Sequence, residues 1–158
     1  MSSCGPHSKI LILFSFRNLI YFCLLFFCRP KIAFIDDTTI KVRIKLRRRV
    51  KNHLGSMYLG ALTVGADITA GYFAFHFLRM YKKNISLIFK DFHADFYKRS
   101  TGDVEFICTM GSEIKGMIEE SISTSSRVNL PVTVNASVPS ISDEIVAKFI
   151  LTLSVKVK

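Results

Sequence analysis

The segment that decides the fold runs from Asn52 to Phe77 and reads NHLGSMYLGALTVGADITAGYFAFHF. From Ser56 onward nearly every residue is apolar or small, no period-two alternation is visible, and the run is too long for an ordinary strand. The pattern predicts a helix from Ser56 to about Arg79 that is apolar nearly all round and therefore buried on most sides. Asp67 is the one carboxylate in this run, and a charge in apolar surroundings is costly unless it is paired or hydrogen-bonded.

The polar loop before this helix carries residues that suit a helix start. Asn52, Gly55 and Ser56 precede the apolar run, and Ser56 is expected to be the N-cap. Backbone N–H groups at a helix N-terminus lack intrahelical partners and attract negative charge. A polarising helix start and a carboxylate in one short segment therefore suit an active site. The alternatives are that Asn52 is a turn residue and that Asp67 bonds across a dimer or caps a neighbouring backbone.

The composition limits the number of domains and the kinds of partner that the protein can have. The 158 residues, 49% of them hydrophobic, fit one domain with a sizeable core. The net charge of +10 suits an anionic partner, although lysines and arginines on the solvent faces of strands would give the same total. Nucleic acid is not expected, because no aromatic residues interleave with the basic run of residues 47–51.

The four cysteines form no C-x-x-C pair and no regular spacing. This pattern favours reduced, mostly buried thiols in a cytoplasmic protein over disulfides or a zinc site. Asp91, His93 and Asp95 alternate along one predicted strand face and could bind a metal. A solvated face is the expectation there, so neither a metal nor a cofactor is predicted.

The N-terminal segment is strongly apolar from Ile10 to Cys28, with Arg17 interrupting it near the centre. A central Arg is costly in a bilayer, so we expect residues 1–30 to hold an apolar helix that packs on the domain. Arg29-Pro30 ends that helix, because the residue before a proline avoids helical dihedral angles. Membrane contact through residues 10–28 is the alternative.

Most of the remaining chain alternates with a period of two, which predicts strands. Gly102, within residues 100–103, predicts a hairpin between the third and fourth of these strands. Ser112 is expected to cap a short amphipathic helix, and residues 121–126 read as a linker. Pro131 demands a sheet edge or a bulge. The predicted strands are Ile32–Ile35, Ile40–Arg47, Ile85–Lys98, Val104–Met110, Val128–Val138 and Ala147–Val157.

These elements predict a single α+β domain over residues 31–158, with one long antiparallel sheet wrapped around the apolar helix. The glycines at 60, 65 and 71 weaken that helix in isolation, and close approach of neighbouring backbone is their expected compensation. One helix covers little of so much sheet. Dimerisation through strand edges is therefore expected.

The arrangement resembles the hotdog fold, and the loop resembles that of phenylacetate-pathway-type acyl-CoA thioesterases. Their motif runs N-x-x-G-x-x-H-G-G before a helix that carries Asp. The likeness covers residue 30 to the end, and includes a central hairpin over residues 90–103 and a last strand over residues 146–156. The residues at the motif positions here are Asn52, Gly55, Tyr58, Leu59, Gly60 and Asp67, with Tyr58 and Leu59 at the His-Gly positions.

The resemblance implies a thioester hydrolase that acts on acyl-CoA as a homodimer or dimer of dimers, without a cofactor. Asp67 would be the base or nucleophile, the Leu59 N–H the oxyanion donor, and Asn52 the positioning residue. Residues 47–51 and 98–99 are candidate contacts for the phosphate groups of coenzyme A. The alternatives are a non-catalytic hotdog module that binds acyl-CoA and a membrane-surface protein. The implied substrate-binding residues are Gly55, Ser56, Tyr58, Gly60 and Arg99.

Overall fold

The computed structural model describes residues 23–81 and 84–157. Most of the predicted N-terminal helix lies outside them, and its described part is a short helix that ends at Cys28. In chain order the elements are α1 (Cys23–Cys28), β1 (Lys31–Ile35), β2 (Ile40–Ile44), a 3₁₀ turn (Arg48–Val50), α2 (Leu59–Leu78), β3 (Ile85–Phe96), β4 (Val104–Cys108), α3 (Gly111–Thr124), β5 (Val128–Val138) and β6 (Ser142–Val157).

The six strands form one antiparallel sheet in the order β1-β2-β4-β5-β6-β3. Helix α2 packs against β2, β4, β5 and β6, and α3 packs against α2, β5 and β6. The predicted α+β architecture, with one antiparallel sheet around a central apolar helix, is confirmed. Burial along the strands follows the period-two sequence pattern. On β2, for example, Ile40, Val42 and Ile44 are fully buried, whereas Arg43 faces solvent.

One side of α2 is fully buried and the other is mostly half-buried, so the predicted burial on most sides is met only in part. The buried side carries residues such as Ala66, Ala70, Phe73 and Phe77, all at most 1% exposed. Val64, Ile68 and Tyr72 on the other side are only partly buried against the core. The other side, which we call the open stripe, stays half-buried or exposed and consists of Thr63, Val64, Asp67, Ile68, Gly71, Tyr72 and Phe75.

By length and hydropathy alone, α2 also passes as a membrane span, with a mean hydropathy of 1.2. However, 56% of that window is buried inside the protein. Its packing on four strands and on α3 identifies it as a core helix.

The predicted hairpin between β3 and β4 is wrong. β3 pairs with β6, whereas β4 lies between β2 and β5. The connection around Gly102 reverses the chain, but it crosses to another part of the sheet. Turn residues indicate that the chain changes direction, but they do not determine which strand the next one pairs with.

Two helix starts also differ from the prediction. Tyr58, not Ser56, is the N-cap of α2, and Met110, not Ser112, precedes α3. Residues 121–124, predicted as linker, form the last turn of α3, which ends at Ser125 in a left-handed conformation with φ of 52°. The Ser121 hydroxyl donates to the Ser126 carbonyl at 2.9 Å, so the serines there stabilise the helix end.

Pro131 occupies the edge position that its missing N–H requires. It pairs with Thr152 on β6, while β4 reaches only Asn135, Ala136 and Ser137 on the other side of β5. β5 is thus an interior strand at one end and an edge strand at the other.

Candidate active site at the start and the open stripe of α2

Asn52 organises the loop that leads into α2. Its side-chain oxygen accepts hydrogen bonds from the backbone N–H of Leu54 at 3.0 Å and of Ser56 at 3.1 Å. Its amide nitrogen donates to the Ser56 hydroxyl at 2.9 Å. These contacts make Asn52 the turn residue considered as an alternative. They also hold the Ser56 hydroxyl, which explains why Ser56 does not cap the helix.

Two further features close this loop. Gly55 adopts a φ of 77°, a left-handed conformation that favours glycine. The Met57 N–H donates to the Ser100 carbonyl at 2.8 Å. This bond ties the connection between β3 and β4 to the loop, and it brings Arg99, the neighbour of Ser100, to the same end of α2.

The first turn of α2 presents free backbone donors. The Tyr58 carbonyl accepts from the N–H groups of Ala61 and Leu62, at 2.9 and 3.1 Å. Within the described residues no group accepts from the N–H of Leu59 or Gly60. The Tyr58 ring lies over Gly60, where a β-carbon would come within 2.6 Å of Cε1. Leu59 is 55% exposed, so an unpaired N–H at this residue is available to a substrate oxyanion.

Asp67 lies on the open stripe of α2, two turns further along. Burial raises the pKa of its carboxyl group above the ordinary value. No hydrogen-bond donor among the described residues satisfies the carboxylate, and a β-carbon at Gly71 would lie 4.0 Å from its Oδ1. The carboxylate is therefore partly desolvated and has no hydrogen-bond donor among the described residues, as expected of a reactive carboxylate.

Asp67 and the helix start do not meet within one chain. Eight residues separate Leu59 from Asp67, which corresponds to about 12 Å along a helix. The predicted substrate-binding residues gather at the start of α2, whereas the predicted base lies near its middle. No single thioester carbonyl can touch both groups in one copy.

The free edge of β3 runs beside Asp67. The Phe89 ring lies 3.3 Å from the position of a β-carbon at Gly71, one helical turn after Asp67. β3 pairs with β6 on one side, and no described strand pairs with its other side. It exposes several large apolar residues: Ile88, Phe89, Phe92 and Phe96.

Sequence reasoning missed Gly71 and Phe89 as part of this site. A glycine four residues after Asp67 places an open position on the same helix face, and that spacing is visible in the sequence. The contact with Phe89 is not, because it depends on which strand flanks the helix.

The row of Asp91, His93 and Asp95 on β3 is exposed. His93 Nε2 lies 3.3 Å from Asp95 Oδ1, and within the described residues no three potential ligands come together to hold a metal ion. The exposure of these three side chains agrees with the solvated face that the sequence predicts.

Comparisons with known proteins agree with this fold. A Pseudomonas aeruginosa protein of unknown function, named a probable thioesterase, matches with 17% identity and a TM-score of 0.72 over 90% of this chain and 93% of that one. A protein of unknown function from Chlorobaculum tepidum matches with 9% identity and a TM-score of 0.78 over 95% and 96% of the two chains. A Haemophilus influenzae thioesterase gives 14% identity and a TM-score of 0.58 over 90% of each chain.

No curated protein matches this sequence. At these identities the solved structures establish the fold, so the resemblance to the hotdog fold is confirmed at that level. The family model DUF4442, a domain of unknown function, matches residues 19–155. The chain therefore belongs to the DUF4442 family and has the hotdog fold of the thioesterases it resembles.

Proposed function

We propose that the protein hydrolyses a thioester, with acyl-CoA as the expected substrate class and Asp67 as the reacting carboxylate. One observation carries this proposal: a half-buried carboxylate without a donor among the described residues lies on an open apolar stripe, beside a free sheet edge. Structural relatives named as thioesterases support the reaction class.

The chemistry requires a base and an oxyanion donor. Asp67 removes a proton from water, the hydroxide attacks the thioester carbonyl, and the C–S bond breaks when the tetrahedral intermediate collapses. The proton passes to the departing thiolate, which leaves as a thiol. A raised pKa makes Asp67 a better base at neutral pH, and the Leu59 N–H stabilises the oxyanion.

The site is completed by a second copy of the chain. Since about 12 Å of helix separates Leu59 from Asp67, the proposed dimer supplies the donor from one copy and the base from the other. The free edge of β3 is the proposed interface, because a long exposed apolar edge is a template for strand pairing. A two-fold pairing of β3 would bring the second copy beside Phe89 and Asp67.

The remaining predicted residues have distinct proposed roles. Tyr58 and Gly60 at the helix start would contact the acyl group or the thioester, and Arg99 would contact a phosphate of coenzyme A. Asn52, Gly55 and Ser56 would act indirectly, since their hydrogen bonds and backbone conformation hold the loop. The free thiols favour a reducing, cytoplasmic location.

The first experiment measures thiol release from a panel of acyl-CoA thioesters. Asp67→Asn should lower kcat by a factor of roughly 100 or more. Asp37→Asn, an exposed carboxylate in the turn between β1 and β2, is the matched control and should leave kcat unchanged. Saturable acyl-CoA binding without hydrolysis by the wild type would favour the non-catalytic binding module instead.

A second experiment tests whether two copies share one site. Leu59→Pro removes the N–H at the first helical position, where proline is tolerated, and Leu59→Ala is its control because it keeps the N–H. Leu59→Pro and Asp67→Asn should each be inactive. Mixing them with subunit exchange should restore about a quarter of wild-type activity, because each mixed dimer holds one intact site. Absence of any recovery in verified mixed dimers would contradict the shared site.

A further inference from the structure

A second feature lies apart from the open stripe of α2, where α1, β1 and the chain after β2 meet. A cavity of about 120 Å³ opens there. Five basic residues and one thiol line it, and we call this the basic pocket: Cys28, Arg29, Lys31, Lys45, Arg47 and Arg49. Arg48 and Lys51, which are close in sequence to Arg47 and Arg49, are exposed. None of the proposed catalytic residues lines it.

The cations of the basic pocket have no acidic partners among the described residues. The ion pairs found there involve Arg43, His93 and Lys98, none of which lines the pocket. Asp103, the carboxylate that reaches the chain just after β2, accepts from the Leu46 N–H at 2.9 Å. Like charges gathered without partners repel one another, so an external anion would stabilise this pocket.

Helix α1 places apolar side chains at the rim of the basic pocket. Leu24, Phe26 and Phe27 are 66%, 46% and 51% exposed, whereas Cys28 is buried and attaches the helix to the core. The Arg29 guanidinium lies 5.5 Å from the centre of the Phe26 ring, so the cations and the apolar face adjoin. The sequence immediately before α1 continues apolar, from Leu19 to Phe22.

We propose that α1 and the basic pocket together dock the protein onto an anionic lipid bilayer. Exposed Leu and Phe beside clustered Arg and Lys are the combination that lies in a membrane interface, with the apolar side chains among acyl chains and the cations on headgroup phosphates. A soluble phosphate ligand such as coenzyme A would satisfy the cations but leave the apolar face of α1 in water. Charge complementarity and this adjoining apolar face thus favour lipid. The proposal does not depend on thioester hydrolysis.

The test is co-sedimentation of the full chain with vesicles of pure phosphatidylcholine and with vesicles that also contain phosphatidylserine, an anionic lipid. The wild type should bind the anionic vesicles at least about tenfold more tightly, and the preference should fall with added salt. Arg47→Gln with Arg49→Gln should weaken this binding by about tenfold or more. Lys115→Gln with Lys156→Gln removes two exposed charges elsewhere and should have little effect.

The apolar contribution is tested separately with Phe26→Ser and Phe27→Ser, which should weaken vesicle binding without lowering Tm, because both side chains are exposed. Equal binding to neutral and anionic vesicles, or an equal loss in the Lys115 and Lys156 control, would overturn the proposal. So would a rise in Tm with inorganic phosphate or coenzyme A that requires Arg47 and Arg49, if vesicles are not bound. That outcome would identify the pocket as a site for a soluble anion.

Discussion

A β-carbon at Gly65 would lie 2.2 Å from Cζ of Phe106, so the ring of this β4 residue rests directly on the backbone of α2. Phe106 is fully buried, and its ring centre lies 6.2 Å from that of Phe149 on β6. The sequence predicted that neighbouring backbone approaches the helix at its glycines. At Gly65 an aromatic ring does so instead, and it fixes how α2 sits on the sheet.

Gly65→Ala should therefore destabilise the protein, although alanine favours helices. The new methyl group forces Phe106 or α2 to move, at a cost of about 1–3 kcal/mol in the free energy of unfolding, measured with urea. Gly116→Ala on α3 is the matched control, because nothing lies within 4 Å of its β-carbon position. It should raise stability by about 0.4–1 kcal/mol. Equal stability of the two variants would contradict the close contact.

Asp67→Asn should stabilise the protein while it abolishes the proposed activity. Burial raises the pKa of Asp67 above its usual value of 3.8, so the carboxyl favours folding while protonated, and this contribution is lost as pH rises through the folded pKa. At pH 7 the variant should have the higher Tm. Below about pH 4 the difference in Tm between the wild type and the variant should vanish. Asp67 is then protonated in the folded and the unfolded state, and so is as neutral as asparagine.

Asp36→Asn supplies a control of opposite sign for that titration. Hydrogen bonds from Thr38 and Thr39 lower the pKa of Asp36, so its charged form stabilises the fold at neutral pH and the effect disappears as pH falls through the folded pKa. This variant should have the lower Tm at pH 7. Identical pH profiles for the two variants would rule out the assigned burial of Asp67.

Asn52→Ala should loosen the loop before α2. It removes the acceptor of the Leu54 and Ser56 N–H groups and the donor to the Ser56 hydroxyl, which costs about 1–3 kcal/mol. Hydrogen exchange at Leu54 and Ser56 should accelerate. Asn129→Ala, an exposed residue on β5, should change neither quantity. Unchanged exchange in the Asn52 variant would show that the loop is held by other contacts.

The described cysteines should differ sharply in reactivity. Cys23 is exposed, whereas Cys28 and Cys108 are buried free thiols. Burial raises the pKa of Cys108 to about 11 and also raises that of Cys28, which leaves little reactive thiolate at neutral pH. Maleimide labelling followed by peptide mapping should find Cys23 modified in the folded protein and all three after unfolding. Rapid native labelling of Cys108 would contradict this.

The local pattern of hydrophobic residues predicted most helices and strands, because buried positions recur with the period of each kind of element. The alternation around Val42 and the apolar run around Asp67 are enough to predict β2 and α2. The neighbours of each strand were harder to predict. The turn at Gly102 gives the same local signal for a hairpin and for a crossover, and only long-range packing separates the two.

For the candidate site too, the sequence predicted the positions of single residues better than their arrangement in space. Spacing placed Asp67 on the central helix and Leu59 at the helix start, and the same spacing implies about 12 Å of helix between them. The resemblance to a motif gave both residues a role at one substrate carbonyl, although one copy of the chain cannot bring them together there. The role of Ser56 was missed because its hydroxyl bonds to Asn52 at the other end of the loop. That competition between two polar side chains depends on the loop conformation.

The position of β3 in the sheet has a consequence for synthesis on the ribosome. Its neighbour is β6, where Ile85 pairs with Val157 and Phe96 with Ala147. This strand, with its exposed Phe89 and Phe92, thus emerges roughly 50 to 70 residues before its partner, an interval of several seconds at ordinary translation rates. Until β6 is made, the nascent chain carries an unpaired apolar strand, so chaperone supply and translation speed should set the yield of folded protein.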